Sequence, residues 1–85
     1  MKYIVVKGQF GDESAILFDE LLTHKDVAQT QQVISAGFVR VKGVVDRLGT
    51  EYLETCCYGE STSLDKKSRG EVDTRIVTRA LVNHF

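Results

Sequence analysis

Apolar and polar positions alternate in short runs through most of the chain and switch to helical spacing near its end. The run Lys2–Val6 (KYIVV) is β-branched and aromatic, stops before Gly8, and predicts a first strand. GQFGD, with its two glycines and an aspartate, is a turn. SAILFD, residues 14–19, is continuously apolar at its centre, as in a strand covered on both faces or lying at the centre of a sheet. Thr23, with Asp26 three residues on, is a variant of the capping box and starts a short helix over about residues 24–30. QVISAGFVRVKG returns to strand. Strict alternation would put Val33, Ser35, Gly37, Val39 and Val41 on one face, and Ile34, Ala36, Phe38, Arg40 and Lys42 on the other. That strand runs on through GVVDR, turns at Leu48-Gly49-Thr50 and comes back as EYLETCCYG, making the longest pairing in the chain. Val72, Ile76, Val77, Ala80 and Leu81 then repeat at helical spacing behind Ser68 and Glu71, which have the S-x-x-E form of a capping box. The spacing predicts a helix over about 69–83.

The order is β-β-α-β-β-α. The fold class that buries these faces most simply is α+β, a small antiparallel sheet of about four strands with the C-terminal helix packed on one face. At 85 residues, one domain spanning 1–85 is expected, with a thin core that oligomerisation would help. The composition, 42% hydrophobic and 27% charged, is that of an ordinary globular domain. A net charge of −1 gives no basic footprint for general nucleic-acid binding, so that partner is disfavoured. No apolar run reaches the roughly 20 residues of a membrane span, and YIVVKG is too short for a signal peptide, so no membrane association and a cytoplasmic location are expected. The two cysteines then stay reduced.

Three stretches carry candidate chemistry. Cys56 and Cys57 are adjacent on a strand, so their side chains point to opposite faces. They lack C-x-x-C spacing and a second pair, so no metal site is expected, and a nucleophilic cysteine would need a neighbouring base. Ser61 and Ser63, with Lys66, Lys67 and Arg69 leading into the last helix, bring hydroxyls and positive charge to a helix start, where free N–H groups favour anions. The same hydroxyls also serve to satisfy local backbone groups, and Glu60, Asp65 and Glu71 dilute the charge. Ser35-Ala36-Gly37 interrupts a strand that otherwise prefers bulk. Such a glycine marks a bulge, a ligand, or close packing against another element, here a helix. No nucleophile, base and orienting group stand in recognisable order, so no catalytic residue, no enzymatic activity and no cofactor are expected.

VISAGFVRVKG (Val33 to Gly43) and CYGESTSLDKKSR (Cys57 to Arg69) resemble a group of short, uncharacterised proteins of tailed phages and prophages. Those proteins share an S-A-G-F-[VI] strand, a G-x-S-x-S-L segment, and a serine or arginine leading into a terminal helix. DELLTHKDVA is similar to their Thr-His helix start. The resemblance spans about Ser14 to Leu81 and picks out His24, Ser35, Gly37, Phe38, Gly59, Ser61, Ser63, Leu64, Ser68 and Arg69. It departs from the pattern at GVVDRLGTEYLE, which is longer than usual. It implies a phage-derived accessory protein acting in the host cytoplasm, and implies no particular activity.

Two functions are therefore in view. The first is a small binding protein, with homodimerisation possible, that engages a host or phage protein through a sheet edge or helix face. The second is a binder of a small anionic ligand such as a nucleotide, with Ser35, Ser61, Ser63 and Arg69 converging near one end of adjacent strands. The residues at stake are His24, Ser35, Gly37, Ser61, Ser63, Lys66, Lys67 and Arg69.

Overall fold

The structure is a computed structural model and describes residues 1–84. Its elements are β1 (Lys2–Lys7), β2 (Glu13–Phe18), α1 (His24–Ala28), β3 (Val33–Val45), β4 (Glu51–Tyr58), β5 (Glu60–Ser61), β6 (Lys66–Lys67) and α2 (Glu71–His84). The four long strands form one antiparallel sheet in the order β2-β1-β3-β4, and α2 packs on one face of it. The chain is thus α+β with the sheet and terminal helix that its apolar pattern predicts.

Both faces of the sheet are covered. On the α2 side, Tyr3, Val5, Val39, Cys57 and Val77 form a buried cluster, with Ala15, Leu17, Ile34, Ile76 and Leu81 packed against it. On the other side, Ile4, Val6, Phe18, Ala28 and Ala36 form a second cluster, closed by α1 and by Leu64. Leu64 lies in the turn of a β5–β6 ribbon, where the sequence reads only as a connection. Two-residue strands are too short to leave a periodic signal.

The apolar run of β2 allows a strand covered on both faces or one at the sheet centre, and the first holds: β2 is covered on both faces at an edge of the sheet, with β1 and β3 inside. Two expectations change. The alternation along β3 breaks near its start: Val5 pairs with Ser35 but Val6 with Val33, so Ile34 has no partner. This bulge sends Ile34 to the α2 side and Val33 to the α1 side, the reverse of strict alternation. The Ser68–Glu71 capping box does not form. The Gly70 carbonyl accepts the first helical bond from Thr74 N–H at 2.9 Å, and it is Asp73 whose carboxylate reaches back to the Arg69 N–H, also at 2.9 Å. Ser68 Oγ is occupied by the Gly70 N–H at 3.1 Å.

The long hairpin turns where expected. Gly49 adopts φ +82°, and the Asp46 carboxylate accepts from the Leu48 and Thr50 N–H groups at 2.9 and 2.8 Å. β1 accompanies β3 only as far as Phe38, with one further bond from Val39 N–H to Met1 O, whereas β3 and β4 stay paired out to Val45 and Glu51. The outer part of the hairpin is therefore a two-stranded arm, and it lengthens the molecule to 45 Å along its longest axis.

Candidate functional site

The densest polar chemistry lies under the start of α2. Asp73 stands one turn before Val77 on the helix stripe that faces the sheet, and it is completely buried. A buried carboxylate is tolerated only when its oxygens are fully occupied. Here Oδ2 accepts from Tyr3 Oη at 2.6 Å and from the Arg69 backbone N–H at 2.9 Å, and Oδ1 accepts from Ser35 Oγ at 2.8 Å and Arg69 Nε at 2.8 Å. Tyr3 Oη also lies 2.7 Å from Ser68 Oγ. A phenol has one proton and a carboxylate can only accept, so that proton goes to Asp73 and the Ser68 hydroxyl supplies the second bond. Arg69 Nη2 reaches out to Glu13 at 2.6 Å on the edge strand. Tyr3, Ser35 and Arg69 thus meet on one carboxylate, with Ser68 and Glu13 joined to it through Tyr3 and Arg69, and among the described residues no buried side-chain polar atom is left without a partner.

The electrostatics follow from those contacts. Burial pushes the Asp73 carboxyl up, but the bonds from the Arg69 N–H, Tyr3, Ser35 and the Arg69 guanidinium outweigh it and hold its pKa below the ordinary aspartate value. Burial, and then the Asp73 acceptor, push the Tyr3 phenol well above the ordinary tyrosine range. Burial likewise raises the Cys57 thiol, which lies on the α2 side, while Cys56 faces outward as the alternation requires.

The structure sorts the sequence candidates into three places. Ser35 and Arg69 come together, 3.2 Å apart, but around Asp73. Both charges of Arg69's surroundings are carboxylates, Asp73 and Glu13, so an anionic ligand would have to displace one of them. Ser61 does not join them. It is buried in the β5–β6 turn, where its Oγ lies 3.2 Å from Ser63 Oγ and accepts from the Leu64 N–H at 3.3 Å, the local role that serine hydroxyls take in turns. Lys66 and Lys67 are exposed on β6, opposite Ser61 and Glu60.

His24 and Gly37 form the third place. His24 is buried, with its ring edge-on to Phe18 and Phe38 at centroid distances of 5.4 and 5.7 Å. Its Nε2 lies 2.8 Å from Gly37 O, and since a carbonyl only accepts, Nε2 carries the proton. The histidine thus fastens α1 to the sheet. Gly37 is demanded by its neighbours: a Cβ there would sit 2.5 Å from the Tyr58 carbonyl oxygen and 3.2 Å from Ser68 Cβ. What approaches Gly37 is a neighbouring strand's backbone and the segment leading into α2, not a cavity.

Two residues central to the network, Tyr3 and Asp73, are absent from the sequence-derived candidates, as is Glu13. Tyr3 sits inside an apolar strand and reads as core. Asp73 reads as a first-turn acid that complements the helix dipole. The signal that separates it from Glu71 is its spacing, four residues before Val77 and eight before Leu81, which puts it on the buried stripe. Val72, counted with the apolar repeat, is about half exposed instead.

Among the described residues, two apolar regions of the surface lie beside a hollow. One is the arm, where Val41, Val45, Leu48, Tyr52 and Leu53 are all exposed, Leu48 at the tip by 91%. Gly43 faces Leu53 and nothing lies within 4 Å of where its Cβ would be, so a hollow of about 470 Å³ opens beside it. The other borders a cleft of about 800 Å³ along β2. At the arm's base, Phe38 stacks on Tyr58 with centroids 5.9 Å apart, and the Arg40 guanidinium lies 5.3 Å from the Tyr58 ring centroid. Among the described residues no helix is long and apolar enough to cross a membrane, and no group of three or more His, Cys, Asp or Glu is placed to hold a metal ion. No family model matches the chain, and no curated protein or solved structure is significantly similar to it.

Proposed function

We propose that this is a small non-catalytic binding protein that engages a host or phage protein, and that the β3–β4 arm is its contact surface. The observation that carries this is the exposed apolar set on an arm with no third strand, Val41, Val45, Leu48, Tyr52 and Leu53. A two-stranded ribbon buries little by itself, and isolated hairpins are marginal in water. Val41, Val45 and Leu53 share one face of the ribbon and Tyr52 stands on the other, and exposed apolar surface of this kind marks interaction sites. The resemblance to short tailed-phage and prophage proteins supplies the setting, an accessory protein in the host cytoplasm.

The test is affinity capture of the tagged protein from bacterial host lysate, read by mass spectrometry, beside Leu48→Ser and Leu53→Ser. Both side chains are exposed, so folding stability is expected to change by no more than about 0.5 kcal/mol. Loss of a stoichiometric partner from both variants, with their melting temperatures unchanged, supports the reading. If light scattering shows instead a homodimer that the same substitutions dissociate, and nothing else is captured, the arm is a self-interface and the reading fails.

A further inference from the structure

We infer that the outer edge of β2 is a second docking site, which takes up an extended segment of a partner protein that is apolar at its centre and carries lysine or arginine at its ends. The two edges of the sheet are β2 and β4, and the protein treats them differently. On β4, the Cys57 N–H is taken by Thr74 Oγ1 of α2 at 3.0 Å, Thr55 and Thr78 bond through their hydroxyls, and Glu51 and Glu54 lie along the strand. On β2, no side chain or loop among the described residues bonds a backbone group of Glu13–Phe18 other than through β1. In an antiparallel pair, every second residue of such a strand directs its N–H and C=O outward. Of the usual edge protections β2 has one charged residue, Glu13 at its end, and it has no lysine, proline or bulge.

The cleft follows this edge. Its lining takes Ala15 and Leu17 from the α2 side of the sheet, Ile16 and Phe18 from the other side, and Ala80 and Leu81 from α2. Side chains from both faces of one strand line a single cleft only where that cleft wraps the strand's outer margin. An added strand would find unpaired backbone groups along β2 and apolar surface for side chains on each of its faces.

Charge selects the occupant. Asp12 and Glu13 stand at one end of β2, Asp19 and Glu20 at the other, and no Lys or Arg lines the cleft. Glu13 is held by Arg69 and Glu20 by the Met1 amine, while neither Asp12 nor Asp19 is in an ion pair among the described residues. A second copy is disfavoured by the same charges. Antiparallel self-pairing of β2 about Ile16 places Glu13 opposite Asp19 and Asp12 opposite Glu20, and a shift by one residue in either direction still sets carboxylate against carboxylate. Like charges directly opposed destabilise a strand pair, whereas basic ends on an incoming strand would meet carboxylates at both ends. The inference is independent of the arm.

The test uses two synthetic peptides with the same alternating valine–threonine centre, one flanked by lysine pairs and one by glutamate pairs. They are titrated into the isotopically labelled protein while amide hydrogen exchange is followed by NMR. The lysine-flanked peptide is expected to slow exchange of the outward-facing β2 amides about tenfold or more and to bind about tenfold more tightly than the glutamate-flanked one. The double variant D12K/D19K, whose side chains are exposed, should invert that preference with its amide spectrum otherwise preserved. The inference is overturned if millimolar lysine-flanked peptide protects no β2 amide, if both peptides bind equally, or if the β2 amides become protected without peptide as protein concentration rises. The Leu48→Ser variant should bind the peptide as the parent does, so failure at β2 and failure at the arm are told apart.

Discussion

At the scale of single residues, Asp73 governs the molecule's polar interior. Replacing it by Ala strands the Ser35 hydroxyl, the Arg69 N–H and the Arg69 guanidinium in a half-buried pocket, and breaking such a pair costs about 3–5 kcal/mol. Small domains have about 5–15 kcal/mol in all, so Asp73→Ala should lose a large share of the stability, read as a lower urea midpoint by circular dichroism. Tyr3→Phe removes one bond to a charged acceptor, and about 1.5–3 kcal/mol is expected from the shift in urea midpoint. The two residues also set opposite limits in pH. The Asp73 pKa is lower folded than unfolded, so its contribution is whole above the ordinary aspartate value of about 4 and drains as pH falls through the folded value. Tyr3 and Cys57 are shifted upward. Their contributions are whole below the ordinary values, about 10 and about 8.5, and are lost as pH rises beyond them. A plot of urea midpoint against pH should therefore fall at both ends, and Tyr3→Phe should reduce the loss above about pH 10 to the part that Cys57 carries and also shrink the acid limb, because it removes one of the bonds that lower Asp73. Little of this was legible in the chain. Seryl and arginyl groups near 61–69 show in the sequence as hydroxyls and positive charge at a helix start, whereas Tyr3 and Asp73 matter through a meeting of segments 70 residues apart, which no local pattern encodes.

At the scale of elements, periodicity served well where it was long and poorly where it was short. The β3–β4 hairpin, its Gly49 turn and α2 were all readable, because each repeats its period several times. The β5–β6 ribbon and the bulge at Ile34 were not. Val33 and Ile34 are both apolar, so exchanging their faces leaves the hydrophobic pattern unchanged. β2 shows a further ambiguity. An apolar run reports that both faces are covered, and α2 together with the α1 side does cover them, but it does not report whether a neighbour lies on each flank. Gly37 was legible as a point of close approach. The element scale adds that the approaching atom is a backbone oxygen, which cannot swing aside as a side chain can. Gly37→Ala should therefore destabilise by about 1–3 kcal/mol and loosen β3 from β4, seen as a lower melting temperature and faster amide exchange near Tyr58.

At the scale of the whole molecule, a body of six strands and two helices carries an arm at one end and an open flank along β2. Exchanging Leu48 or Leu53 should leave the body intact, because neither belongs to the buried clusters. Exchanging Asp73 should weaken both surfaces at once by destabilising what holds them. The central position of β1 has a consequence for the order in which the protein is made. As synthesis proceeds, β1 emerges first and can pair with β2 at once, but its other flank waits for residues 33–38 and its tyrosine hydroxyl waits for Asp73. Such long-range closure slows folding. On the ribosome the strand that holds Tyr3, Ile4 and Val5, all fully buried in the finished fold, would keep its α2 face uncovered until that helix had been translated.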